Sequence, residues 1–189
     1  VDLRSPFVVS ILDLPRQEGS IRHYDYVFET PQDFGIELME VIPGSELRAD
    51  LSFQSVQEGV LVQGSVDAQL QGRCSRCLID LHDNVHESVA ELVFYPESAK
   101  ALEEEGDEEA NDLPLIEDDH IDLEPILRDA LVLSMPFTPL CEPDCDGLCQ
   151  ECGERWSDLP DDHAHEFLDP RFDGLAALAA ELEVKENNA

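Results

Sequence analysis

At 189 residues the chain is long enough to bury a core of its own. Its apolar runs, around Ala130 to Met135 and Gly174 to Ala180, fall well short of a bilayer span. It carries 44 acidic residues against 11 lysines and arginines, a formal net charge of −33, so general binding of nucleic acid through phosphate neutralisation is disfavoured. The imbalance is uneven: residues 1–95 hold 16 acids and 6 bases (net −10), and residues 96–189 hold 28 and 5 (net −23). Such a polyanion attracts basic partners and raises their encounter rate, and the same charge serves solubility or adaptation to salt.

The opening Val1-Asp2-Leu3-Arg4-Ser5-Pro6 does not read as a signal peptide, and the expected setting is soluble and cytoplasmic. Ile21 to Phe28 is rich in β-formers and ends at Thr30-Pro31. Glu46 to Phe53 alternates, with Leu47, Ala49, Leu51 and Phe53 on one face, and Gln57-Glu58-Gly59 turns the chain. Val60 to Leu70 follows, with Val62, Gly64, Val66, Ala68 and Leu70 in phase. Leu78 to Leu81 and Val85 to Tyr95 then continue the period of two. Short connections between such segments favour an antiparallel meander.

Pro96 closes that region, and residues 103–119 then hold ten acids, which predicts a mobile loop. From Ile121 the pattern turns helical. Asp122 is placed to cap, Pro125 sits early, and Ile126, Leu127, Ala130, Leu131 and Leu133 supply an apolar face up to Pro136. A second helix is expected from about Pro170 through Leu182, with Leu175, Leu178 and Leu182 aligned. The predicted fold class is α+β: an antiparallel β-sheet or partly open barrel, two helices in the C-terminal half, and zinc-braced loops. The expected organisation is a β-rich body over 1–96, an acidic mobile insert over 97–120, and a last part over 121–189. That last part combines the helix, a Cys/His zinc-binding segment and a C-terminal helix packed on the body.

All six cysteines fall in two clusters: Cys74-Ser75-Arg76-Cys77, and Cys141-x3-Cys145-x3-Cys149-x2-Cys152 followed by Gly153. A Cys-x-x-Cys turn lets two thiolates chelate one ion while nearby N–H groups face the sulfurs, and a following glycine tolerates the left-handed conformation such a turn requires. His163 and His165, eleven and thirteen residues past Cys152, can add two imidazoles if the chain curls there. The candidate metal ligands are thus Cys74, Cys77, Cys141, Cys145, Cys149, Cys152, His163 and His165, enough for two four-coordinate zinc ions, or for one filled site with the other residues outside it. The spacing leaves their partition open. Cys141, Cys145, Cys149 and Cys152 can form one compact site, or Cys74 and Cys77 can join Cys149 and Cys152 across the sheet.

A disulfide framework fits poorly with a cytoplasmic chain. A thioredoxin-like site wants its cysteines opening a helix in a βαβ unit, and neither pair has that context. There is no Gly-rich phosphate loop and no Gly-x-Ser-x-Gly elbow, so the expected role is structural zinc in a non-enzymatic protein. Metal-dependent or thiol catalysis is the rival reading. So is a zinc-ribbon RNA-binding module in which Arg73, Arg76, Arg155 and Trp156 form a basic and aromatic face.

Read in order, Gly59-Val60-Leu61-Val62-x-Gly64, Cys74-Ser75-Arg76-Cys77-Leu78 and Ile121-Asp122-Leu123-Glu124-Pro125 lead to Pro136-Phe137-x-Pro139-Leu140-Cys141. Cys145-x-Gly147-Leu148-Cys149-x-x-Cys152-Gly153 and Asp169-Pro170-Arg171-Phe172 complete the series. Together they resemble the YceD family of large ribosomal RNA subunit accumulation proteins. The resemblance implies a cytoplasmic factor of bacteria or plastids, needed for normal 23S ribosomal RNA accumulation or processing and linked to a large-subunit ribosomal protein. Its expected partner is that protein or a pre-ribosomal particle, with direct RNA contact secondary and no membrane. Many members carry Cys-x-Cys just before Asp-Pro-Arg. Here His163-Ala164-His165 takes that place, which supports a ligand role for both histidines.

Overall fold

The computed structural model describes residues 2–106 and 108–165. The chain divides into two units, Val1–Cys145 and Asp146–Ala189.

The first unit is built on a long antiparallel hairpin. Its strands are β6 (Gly59–Arg73) and β7 (Asp80–Phe94), numbered with β1 (Val8–Ser10), β2 (Ile21–Glu29), β3 (Gly35–Ile36), β4 (Met39–Val41) and β5 (Glu46–Ser55) before them. The ladder between β6 and β7 runs unbroken from Gly59 opposite Phe94 to Arg73 opposite Asp80. On its other edge β6 pairs first with β5 and then with β4, giving the order β2-β5-β6-β4-β3 with β7 outside β6. All these pairings are antiparallel, and none among the described residues joins β7 to β2 or β3, so the sheet is open. A separate two-stranded sheet pairs β1 with β8 (His120–Asp122).

Alternation places the core. Leu47, Ala49, Leu51 and Phe53 of β5 are buried, as are Val60, Val62, Val66, Ala68 and Leu70 of β6. Between Val62 and Val66 comes Gly64. A Cβ built there would lie 1.9 Å from the carbonyl oxygen of Asp50, so the close approach of β5 requires a residue without a side chain. Tyr24, Tyr26 and Phe28 of β2 line up against Phe53 and Phe7, with ring centroids 4.5–6.4 Å apart. Helix α2 (Glu124–Ser134) covers part of this face, contacting β7 and burying Ile126, Leu127 and Leu131.

Leu123, not Asp122, takes the N-cap position of α2, and Asp122 supports the helix start from one residue earlier. Asp122 Oδ1 accepts the N–H of Glu124 at 3.0 Å, and Pro125 occupies the first turn. Met135, directly before Pro136, is already extended at φ −69° and ψ 132°, which ends the helix. Leu133 departs from the apolar face expected of it and is 84% exposed. At about 100° per residue it lies about 120° round the helix from Leu127 and about 160° from Leu131, away from the face those two bury.

Two further differences lie nearby. Leu78 to Leu81 and Val85 to Tyr95 were expected as separate segments, and the ladder runs through Asp83 and Asn84 to make them one strand. Where the acidic segment reads as a loop, Pro96–Glu104 forms helix α1, burying Ala99, with a 3₁₀ turn over Glu108–Asp112. Ala, Leu, Lys and Glu are strong helix formers, Pro96 and Glu97 suit the first turn, and Lys100 reaches Glu104 one turn on. The helix expected over 170–182 lies outside the described residues.

Candidate metal centres

The β6–β7 hairpin closes through residues 74–79, the first cysteine pair. The N–H of Cys74 donates to the carbonyl of Ile79 at 2.9 Å, and the N–H of Leu78 donates back to Cys74 at 3.0 Å. Leu78 adopts φ +60°. The second pair repeats this turn: the N–H of Cys149 reaches Glu154 at 2.7 Å, that of Gly153 reaches Cys149 at 2.9 Å, and Gly153 has φ +76°. A bridge between Leu148 and Arg155 closes it. Each pair is therefore one folded chelating turn, with Leu78 standing where the second has glycine.

The turns respond differently to substitution. Gly153→Ala should destabilise by about 1 kcal/mol, because a Cβ is disfavoured in the left-handed region, while Leu78→Gly should leave stability within about 1 kcal/mol. Urea midpoints check both; equal losses would contradict the shared geometry.

In the first unit the chain after α2 returns to the hairpin tip. The N–H of Ser75 donates to the carbonyl of Pro139 at 2.8 Å, and Arg76 Nη1 donates to the carbonyl of Cys145 at 2.8 Å. These contacts deliver Cys141 and Cys145 to the first pair. The Sγ atoms of Cys74 and Cys145 stand 3.8 Å apart, those of Cys77 and Cys141 3.6 Å, and all four lie within 4.8 Å of one another. A disulfide would require about 2.05 Å. Four sulfurs held tetrahedrally about 2.3 Å from one ion stand about 3.8 Å apart, close to the two separations of 3.8 and 3.6 Å. Cys74, Cys77 and Cys145 are buried, and Cys141 faces solvent.

In the second unit Cys149, Cys152, His163 and His165 bring their ligand atoms within 4.8 Å of one another. Cys152 Sγ lies 3.6 Å from His163 Nε2. The N–H of His163 donates to Pro160 at 2.9 Å, curling the chain so that the two imidazoles meet edge to face at 4.5 Å. The rings of Trp156 and His163 meet nearly at a right angle, 5.5 Å between centroids. Only Cys149 of this quartet is buried.

Both groups could hold a metal ion, and one thiol in each is already biased towards the charged form a metal needs. At Cys74, burial raises the thiol pKa, but the N–H groups of Cys77, Arg76 and Cys141 outweigh it and bring it down to about 6. At Cys149 the N–H groups of Cys152 and Glu151 act first, against burial, and the result is again about 6. Burial, with the neighbouring sulfurs of Cys145, Cys77 and Cys74, pushes Cys141 up to about 12. Because the pKa values of Cys74 and Cys149 fall on folding, the stability they contribute is full above the ordinary thiol pKa and lost as pH drops through about 6.

The sets gathered here differ from both partitions that the spacing left open. The four-cysteine run is divided at Gly147, whose φ of +79° turns the chain between Cys145 and Cys149. Arg73, Arg76 and Arg155, read as a basic face, are all engaged. Arg73 Nε is 3.5 Å from Asp80, Arg76 holds Cys145, and Arg155 holds Asp158 at 2.6 Å. The residue that sequence reasoning missed is Leu78, since no glycine marks its left-handed turn. The signal was there in the parallel between Cys-x-x-Cys-Leu and Cys-x-x-Cys-Gly.

The family described as "Large ribosomal RNA subunit accumulation protein YceD" matches residues 62–179, more than half of the chain. The chain belongs to the YceD family. Its YceD relatives include an uncharacterized protein of Mycobacterium tuberculosis, 39% identical over 174 residues, which span 92% of this chain and 82% of the relative. An uncharacterized protein of Mycobacterium leprae is 35% identical over 178 residues, 94% and 80% of the two chains. The uncharacterized protein YlbN of Bacillus subtilis is 26% identical over 132 residues, 69% and 70%. No solved structure matches the chain significantly. The YceD description names an accumulation factor and indicates no catalytic family. Among the described residues no helix is long and apolar enough to cross a membrane.

Proposed function

We propose that this YceD chain is a non-catalytic cytoplasmic factor in large ribosomal subunit biogenesis. It supports 23S ribosomal RNA accumulation or processing by binding a basic large-subunit protein, alone or within a pre-ribosomal particle. The observation that carries this reading is the YceD match joined to a net charge of −33. A polyanion steers towards a basic client and is repelled by bare phosphate. The engagement of Arg73, Arg76 and Arg155 with acids and carbonyls weakens the alternative of a zinc-ribbon RNA module, because few cations are left for phosphate.

Zinc is the ion that suits the donors. Thiolate and imidazole in tetrahedral spacing match it, and sites filled by four protein ligands are structural. Cys74, Cys77, Cys141 and Cys145 would tie the chain after α2 to the hairpin tip, while Cys149, Cys152, His163 and His165 would hold the second unit's loops. Bound there, zinc supplies cross-linking and nothing catalytic.

Depleting the protein in its native bacterium should lower mature 23S relative to 16S ribosomal RNA, with wild-type protein restoring the ratio. An unchanged ratio on full depletion would contradict the reading.

A further inference from the structure

We propose that a cleft in the second unit, beside the Cys149 turn, receives a cationic side chain, arginine above all, from a basic protein partner. This rests on the reading that the client is a basic protein, and it names where that client is gripped. The cleft has a volume of about 380 Å³ and is lined by Asp146, Trp156, Leu159, Pro160 and Asp161.

Trp156 is the chain's only tryptophan and is 41% exposed. Its backbone N–H donates to the carbonyl of Gly147 at 3.0 Å, which anchors the residue, and its ring meets His163 nearly at a right angle. An indole braced on one side by His163 and left open to water is a platform for a cation. Asp146 and Asp161 have no hydrogen-bond or ion-pair partner among the described residues, so both carboxylates are available. Leu159 and Pro160 offer an apolar wall for a methylene stem.

A guanidinium suits this combination better than an ammonium. It stacks flat on an aromatic face and forks to a carboxylate, and it gives up its hydration more readily. No lysine or arginine lines the cleft, and the nearest in sequence, Arg155, is turned to Asp158. Two carboxylates repel phosphate, which disfavours RNA as the occupant. Trp156 contributes no metal ligand, which disfavours a third ion. The packing of His163 on Trp156 means that the metal-ligand loop also shapes the cleft.

Because Trp156 is unique, its fluorescence reports this site directly. The zinc-loaded full chain is titrated at about 0.15 M ionic strength with a short arginine-rich peptide and its citrulline counterpart. Saturable quenching by the arginine peptide alone is expected. The double variant Asp146→Asn with Asp161→Asn should bind about tenfold more weakly. Glu103→Gln with Glu104→Gln removes the same charge elsewhere and should change affinity less than about twofold. Trp156→Leu, followed by calorimetry, should also lose about tenfold while retaining its zinc. Equal weakening by the two charge pairs, quenching by citrulline, or tighter quenching by an RNA oligonucleotide would overturn the proposal. So would a basic large-subunit protein that co-purifies undiminished with the Asp146→Asn, Asp161→Asn chain, and in that case the broader reading of a basic client would still stand.

Discussion

Stripping metal from the intact protein is expected to release two zinc ions per chain and to open the segment from Phe137 onward to protease before the sheet is cut. Structural zinc contributes on the order of 10 kcal/mol in small modules at neutral pH, far more than any side-chain contact around these turns. The sheet has a core independent of the ligands, centred on Phe53, Leu51, Val62 and Leu127, so it should outlast the loops. Single substitutions separate the centres: Cys145→Ser should leave one ion, held by the histidine quartet, and His163→Ala should leave the other. Elemental analysis and limited proteolysis of untagged protein read both. A metal-free preparation with an equally resistant C-terminal half would contradict the bracing role.

Phe53→Ala should destabilise the first unit by about 3–5 kcal/mol. Phe53 is fully buried in the middle of the sheet, opposite Val62, with Tyr24 at 5.1 Å and Tyr26 at 6.4 Å between centroids. Strands pack it from both sides and α2 helps cover the same core, so the cavity cannot collapse easily. Against a total stability of about 5–15 kcal/mol for a domain, the loss is a large fraction. A shift below about 1 kcal/mol in urea unfolding would show that this face is not the core.

Much of this architecture is legible in the sequence because it rests on local pattern. The inward faces of β5 and β6, the start and stop of α2 and both Cys-x-x-Cys turns follow from alternation, Asp122, Pro136 and cysteine spacing. The ligand partition is different, because it is decided at long range. Ser75 bonding to Pro139 and Arg76 bonding to Cys145 send Cys141 and Cys145 to the hairpin, contacts about 65–70 residues apart that no spacing encodes. Helix α1 was hidden by its own charge, since a run of acids suggests repulsion even where Ala99, Lys100 and Leu102 favour a helix. Asp83 and Asn84 look like a break between strands. Opposite Leu70 and Gln69 they simply continue the ladder.

Capture of the intact chain from its native host at moderate salt, with bound proteins and bound RNA identified together, tests the functional account most directly. A basic large-subunit protein should be recovered and should stay bound after ribonuclease treatment. Tight retention of 23S ribosomal RNA fragments with no large-subunit protein present would contradict it.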